Sequence, residues 1–397
     1  MRQPSTSAPH ILTLVALAGL SALTMNIFLP SLPTMTTHFG VEYGVMQLSV
    51  ALYLMFNALL QIILGPLSDR FGRRPILLMS IALFCVATVG TLIAPTAETF
   101  LLARSFQAVI AAGLVLSRAI VRDLYAQDEA ASMIGYVTMG MAVVPMIGPA
   151  IGGVLDGAFG WKANFWLLLA CGIFLFALVY WDLGETSKRQ PTSFRAQFAD
   201  YPDLLTSRRF WGYCMTSAFA SGAFFAYLGG APFVGSEVFG LSPALVGLYF
   251  GSPAVGYFVG NFLSGRYSVR IGVNRMVLWG ALLVATGMSL SLLFFALGLK
   301  TALVFFGFMT FVGLGNGMVI PNATAGMLSV RPHLAGTASG LGGAMMIGGG
   351  AALSALAGAL LTVETGAWPL LWIMVLTSYA AVGCIVYTIR RDRQVKA

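Results

Sequence analysis

The sequence predicts an all-α integral membrane protein with twelve transmembrane helices in two pseudo-symmetric six-helix bundles. Three observations point there: an apolar composition, twelve long apolar runs, and one motif that returns 200 residues later. The 397 residues are 58% hydrophobic and 9% charged, with a mean hydropathy of +0.85. A soluble domain needs far more surface charge, so lipid is the solvent this chain is built for. The repeat is GPLSDRFGRRP, Gly65 to Pro75, whose skeleton returns as GRYSVRIG from Gly265 to Gly272. Gly65, Arg70 and Gly72 match Gly265, Arg270 and Gly272 at one offset, as in a duplicated chain whose halves rock against each other.

A spanning helix needs about 20 mostly apolar residues. Cutting at charged or Pro/Gly-rich punctuation gives runs near 11–33, 44–64, 75–95, 98–121, 131–155, 163–182, 210–233, 243–264, 275–297, 300–322, 334–361 and 366–389. Six precede and six follow the polar stretch Gly184 to Arg209. The expected organisation is therefore an N-terminal bundle (1–183), a linker (184–209) and a C-terminal bundle (210–397).

The net charge of +8 would suggest nucleic acid in a soluble protein, but these cations sit in short gaps between apolar runs. They read as topology signals, with no nucleic-acid partner. Of 22 Lys and Arg, Arg104 and Arg118 lie within or near the end of runs, and Lys162 and Lys300 in gaps on one side. The other eighteen share the opposite side, which the positive-inside rule makes cytoplasmic, together with the linker and both termini. The run from Ile11 has no A-x-A cleavage site and reads as an uncleaved first helix. Cys85, Cys171, Cys214 and Cys384 lie singly in different runs, as packed thiols rather than disulfides or metal ligands.

The pattern G-x-L-x-D-R-x-G-R-R-P after the second of twelve helices resembles the loop signature of the major facilitator superfamily, matched by Gly65, Asp69, Arg70, Gly72, Arg73 and Arg74. Its glycines permit a tight turn and close helix approach, and Asp69 can face the positive N-terminus of a helix in the other half. The resemblance makes this segment a cytoplasmic gate, with its partner at the start of the eleventh helix near His333 to Thr337. In the second half Val269 replaces the acid, which weakens the twin latch.

Two more segments resemble the drug:proton antiporter branch. ARSFQAVIAAG, Ala103 to Gly113, is similar to R-x-x-Q-G-x-G-A-A with Ala108 in place of a glycine; Pro145 followed by Gly148, Pro149, Gly152 and Gly153 resembles the G-P-x-x-G-G antiporter signature. In the latter, Pro and Gly serve either as a stiff hinge or as close packing. A finer resemblance is to the Bcr/CflA (bicyclomycin and chloramphenicol resistance) subfamily. It rests on NIFLPSLP (Asn26 to Pro33), RDLY (Arg122 to Tyr125), APF (Ala231 to Phe233) and HLAGTASGL (His333 to Leu341), in that order. The resemblance implies export of amphipathic drugs from the bacterial cell across its inner membrane in exchange for protons, by a monomer.

One departure bears on mechanism. Most relatives carry Asp where this chain has Asn26, and a carboxylamide cannot bind and release a proton. All fourteen acids lie in loops or within a turn or two of a helix end. Three routes stay open: coupling through a helix-end acid such as Glu42, Glu98, Asp123 or Asp156; coupling through Arg104 and site water; or an uncoupled facilitator. Asn26 itself is either a substrate contact or an interhelical hydrogen bond.

Arg104, with Gln107 one turn on, either snorkels to the interface or faces protein and water as a functional cation. Arg118, near the cytoplasmic end, suits a vestibule or a lipid headgroup. Tyr53, Asn57 and Gln61 recur every four residues and form a polar stripe, facing either the central cavity or a seam within one half. Their second-half counterparts are Phe224, Phe225, Tyr227, Tyr249, Tyr257, Asn261, Asn316 and Asn322. Nineteen methionines, Met139, Met141, Met146, Met345 and Met346 among them, suit an adaptable apolar wall.

An enzyme is not expected: His10, His38 and His333 lie at segment ends, with no HExxH, GxSxG or nucleotide motif, and no cofactor or metal set. A receptor would show a soluble output region. The remaining choice is between drug efflux coupled to protons and an uncoupled or narrow-specificity metabolite transporter. Without a central acid, neutral or zwitterionic amphiphiles are the expected drug substrates.

Overall fold

The computed structural model describes residues 9–124, 144, 147–186, 205–331 and 335–396. Among these there is no strand. Ten helices are long and apolar enough to cross a membrane: Ile11–Phe39, Tyr43–Leu64, Arg73–Ile93, Ala97–Val121, Lys162–Asp182, Arg208–Val238, Val273–Ala296, Ala302–Val330, Gly340–Leu360 and Trp368–Asp392. The fifth predicted run is represented by Ile147–Phe159, and the rest of it lies outside the described residues. The eighth, expected as one rod, is two helices, Pro243–Phe250 and Ser252–Ile271, interrupted at Gly251.

The helices start where side-chain caps meet free backbone N–H groups. Thr96 and Thr99 form a capping box, and Ser207, Ser242 and Thr301 each accept from a backbone N–H three residues on. They stop where glycine takes a left-handed or otherwise positive φ, as at Gly40 and Gly240, with φ of 62° and 64°.

The segment expected as a loop is mostly helix. The second helix runs to Phe71, and the whole turn is Gly72, at φ 101° and ψ 150°, before the third begins at Arg73. Gly272 repeats this at φ 89° and ψ 145°. Without a Cβ, one residue can reverse the chain, so no longer loop is needed. The 200-residue offset thus appears twice in the backbone, at Gly40/Gly240 and at Gly72/Gly272.

Both halves end alike. At the end bearing the termini, the backbone N–H of His10 donates to Asp182 at 2.9 Å, Arg73 pairs with Asp123 at 3.0 Å, and Arg209 pairs with Asp392. At the far end each half is closed by rings. Phe39, Phe100, Trp161 and Phe165 form one mesh, and Phe239, Phe295, Phe305 and Trp368 form the other. Centroid separations of about 5–7 Å in tilted or edge-on pairs are the favoured aromatic geometry. Between the ends, large apolar side chains such as Val86, Phe174, Phe258 and Leu376 are exposed, as a lipid-facing surface requires.

Candidate functional site

The fourth helix delivers Arg104 into the middle of the first half, where its side chain is fully buried. It does not snorkel. Its guanidinium donates to Gln107 Oε1 and to the Thr24 carbonyl, both at 2.7 Å. The Phe28 and Tyr53 rings lie 4.3 and 4.2 Å from the guanidinium carbon. Gln107 in turn donates to Thr88 Oγ1 at 2.7 Å. One cation thereby ties together the first four spans. Among the described residues it has no carboxylate partner; amide and carbonyl dipoles and two π faces take that place.

Asn26 is fully buried on the first span; its amide donates to the Ala22 carbonyl at 2.9 Å and its Oδ1 has no donor. A Cβ built at Gly148 would meet Asn26 and Leu23, so Asn26 lies against the fifth span. The polar stripe of the second span divides. Tyr53 turns into its own half, whereas Gln61, which donates to Asn57 Oδ1 at 2.7 Å, approaches Gly343 of the eleventh span.

In the second half Tyr257 is partly buried and accepts from Asn261 Nδ2 through its carbonyl at 2.8 Å. Tyr227 is different: fully buried, its ring packs on Phe250 at 4.7 Å and Phe306 at 6.2 Å, as a core residue of its own half. Asn322 donates to Ser264, and Asn316 keeps a buried, unpartnered Oδ1.

The antiporter-signature glycines are contact points. A Cβ at Gly152 would overlap the Ile27 carbonyl, and one at Gly153 would overlap the Pro243 carbonyl of the eighth span. Gly247 answers from the other side, against the Pro149 carbonyl. The fifth span is thus pinned to the first within its half and to the eighth across the halves. Pro145 lies outside the described residues.

A second contact across the halves was not singled out by the sequence. Near the far end, Tyr43 donates its hydroxyl to the Gly229 carbonyl at 2.7 Å, and Gln47 Nε2 donates to Ser354 Oγ at 2.6 Å. Gly44 abuts the Gly358 carbonyl, and Gly229 and Gly358 both crowd the Gln47 amide. Gln47 and Gln61, fourteen residues apart, share one face of the helix, a spacing that could have revealed both.

The described partners of the gate residues lie in the first half and at the start of the linker. Arg73 binds Ser68 and Asp123 through its side chain and Glu185 through its backbone N–H at 2.9 Å, and Arg74 binds the Tyr180 carbonyl at 2.7 Å and stacks on its ring. Arg70 is exposed beside Phe71. The surroundings of Gly65, the Asp69 side chain and His333 lie outside what is described. Of the four candidate coupling acids, Glu42 and Glu98 are exposed and Asp123 is held by Arg73, which leaves Asp156 as the buried one. No group of three or more His, Cys, Asp or Glu able to hold a metal occurs among the described residues.

Residues 14–355 match the Major Facilitator Superfamily. An uncharacterised MFS-type transporter of Bacillus subtilis, YdgK, is 32% identical over 94% of this chain and 92% of its own. A chloramphenicol resistance protein of Pseudomonas aeruginosa is 30% identical over 85% and 82%. The crystal structure of a D-xylose–proton symporter superposes with a TM-score of 0.77 at 17% identity, covering 95% of this chain and 96% of that one, which speaks to the fold alone. The protein is a membrane transporter, not an enzyme, and it belongs to the Major Facilitator Superfamily, within its Bcr/CflA drug-transporter branch.

Proposed function

We propose that this transporter exports amphipathic, neutral or zwitterionic drug-like molecules of the phenicol or bicyclomycin kind across the bacterial inner membrane by alternating access, in exchange for protons. The halves are residues 1–183 and 210–397, joined by the linker 184–209, with both termini cytoplasmic and the protein working as a monomer. Relatives named for resistance to chloramphenicol and bicyclomycin support the substrate class.

The observation that carries the reading is the Arg104 cluster: a wholly buried cation held by Thr24, Gln107, Phe28 and Tyr53, with Asn26 on the neighbouring span and no buried acid at mid-depth among the described residues. A fixed positive charge without a counter-charge repels cationic drugs and favours electron-rich neutral ones. Asn57, Gln61, Arg118, Tyr257 and Asn261 are the contacts we assign to the space between the halves, with Gly65 to Arg74 as the gate and Gly148 to Gly153 as the hinge.

Alternating access is supported by the far-end seam, where Gly153 meets Pro243, Gly247 meets Pro149, and Gln47 meets Ser354. Opening that seam is the motion transport requires. Asn26 also favours a second reading, an uncoupled facilitator. Proton flux in proteoliposomes under an imposed pH gradient, with a phenicol and bicyclomycin panel, separates the two. Substrate-driven proton movement in the native protein means antiport by a carrier other than residue 26. Substrate flux without proton movement, with coupling gained in Asn26→Asp, means a facilitator. Flux of monovalent cationic drugs at rates matching phenicols would refute the electrostatic argument.

A further inference from the structure

Asp156 lies just past the fifth apolar run, at the far end, and is 6% exposed. Its Oδ2 accepts from Thr34 Oγ1 at 2.9 Å, and its Oδ1 has no donor. The Ser31 hydroxyl lies alongside the carboxyl, and that hydroxyl oxygen accepts from Asn164 Nδ2 at 3.0 Å. Asn164 also donates to the Gly152 carbonyl at 3.2 Å, while its own Oδ1 lacks a donor. The cluster therefore holds two buried oxygen acceptors without donors, one of them on a carboxyl.

The charged groups on the surrounding elements do not compensate. On the first span His38 meets Phe39 and Trp161 edge-on, and on the sixth Lys162 sits over the Trp161 ring. Glu42 heads the second span and Glu237 closes the seventh, both exposed. The near part of the eighth, Pro243 to Phe250, carries no charged side chain. Among the described residues, Thr34 donates to the carboxyl and the Ser31 hydroxyl is the other polar side chain beside it. A buried carboxylate with one firm donor and no cation is a costly species, and a neutral carboxylic acid is not, because it supplies the missing donor itself.

The location gives this chemistry a mechanical meaning. Asp156 follows Gly152 by four residues and Gly153 by three, the glycines that abut Ile27 and Pro243. Ser31 belongs to the short turn Leu29–Ser31 that packs on the eighth span.

We propose that Asp156 is a proton-binding site that controls the far-end seam: it is neutral while the halves are closed there and gives up its proton to water when they part. The closed state then binds one more proton than the open state, so acid on that side favours closure. For one proton the closed-to-open ratio changes by up to about tenfold per pH unit. The proposal rests on the alternating-access reading, but its test uses no substrate, so it fails separately from any failure of transport.

The test is a spin-label distance across the far end, between Ile93 and Leu299, both exposed, in full-length protein whose four native cysteines are replaced. In the native background the short-distance population is expected to grow as pH falls from 8 to 5. In Asp156→Asn it is expected to be high and flat. A native protein whose distances ignore pH, or an Asp156→Asn protein that titrates like the native one, overturns the proposal. Thr34→Val guards against a misfolded Asn variant: removing the carboxylate's firm donor is expected to raise the midpoint by about one pH unit. An unmoved midpoint also overturns it.

Discussion

Tyr43→Phe and Gln47→Ala should each loosen the far-end seam by a calculable amount. The Tyr43 hydroxyl bonds Gly229 at 2.7 Å, and the ring, packed on Phe233 at 4.9 Å, survives the change to Phe. The loss is one buried hydrogen bond, about 1 kcal/mol net, or roughly fivefold in the closed-to-open ratio. Gln47→Ala loses the 2.6 Å bond to Ser354 and opens a hole beside Gly229 and Gly358. Glycine has no side chain with which to fill it, so a cavity cost of about 1 kcal/mol adds to the bond, making roughly 30-fold. The double variant should fall somewhat short of the roughly 150-fold product, because both side chains act on Gly229 and neighbours are not additive. Distances between labels on Ile93 and Leu299, at fixed pH and without substrate, read the ratio directly. If the double variant keeps the native distribution while eluting as a monodisperse, fully helical protein, these two bonds do not hold the halves together and the reasoning is wrong.

Three further outcomes are expected. Gly153→Val places a side chain where the Pro243 carbonyl sits; overpacking of about 1–3 kcal/mol should favour the parted seam and abolish substrate-driven transport, whereas Gly157→Val, at a glycine with open space around it, should be neutral in the same flux assay. Thr88→Val removes the acceptor for Gln107 and leaves a buried amide N–H unsatisfied; a loss of about 1–3 kcal/mol should lower the midpoint of thermal unfolding in detergent, followed by intrinsic fluorescence. Asp392→Asn breaks the pair with Arg209 and weakens the bonds from Tyr213 at 3.0 Å and Asn274 at 2.7 Å; protease nicking of the linker and C-terminus should accelerate several-fold, with Glu364→Gln, in an exposed far-end turn, unchanged.

Much of this architecture was legible because membrane burial writes itself into composition. Apolar length located the runs, and the repeat located Gly72 and Gly272, whose positive φ only glycine takes readily. Arg104 and Gln107 were legible together because residues three apart on a helix are neighbours. Their partners were not. Thr24 and Thr88 resemble any small polar residue of a transmembrane helix, and which of them meets Arg104 depends on helix rotation, which apolar length does not encode. Gln47 and Ser354 are 307 residues apart, and nothing local announces the bond between them. The break at Gly251 is marked locally by Gly251, Ser252 and Pro253, a turn signal that a count of apolar length alone passes over.

The glycine contacts at the seam also bear on speed. Where Gly153 meets Pro243 and Gly247 meets Pro149, the touching surfaces are backbone alone. Such surfaces have no rotamers to freeze on closing or to release on parting, so these contacts add no side-chain search to the one that Tyr43 and Gln47 require. The adhesion of these surfaces is a sum of weak, short-ranged dispersion contacts that lose a quarter to a half of their strength within about an ångström of separation. A joint of this kind loosens steeply over the first ångström or two of parting and, with no rotamers of its own to reset, recloses in a single register.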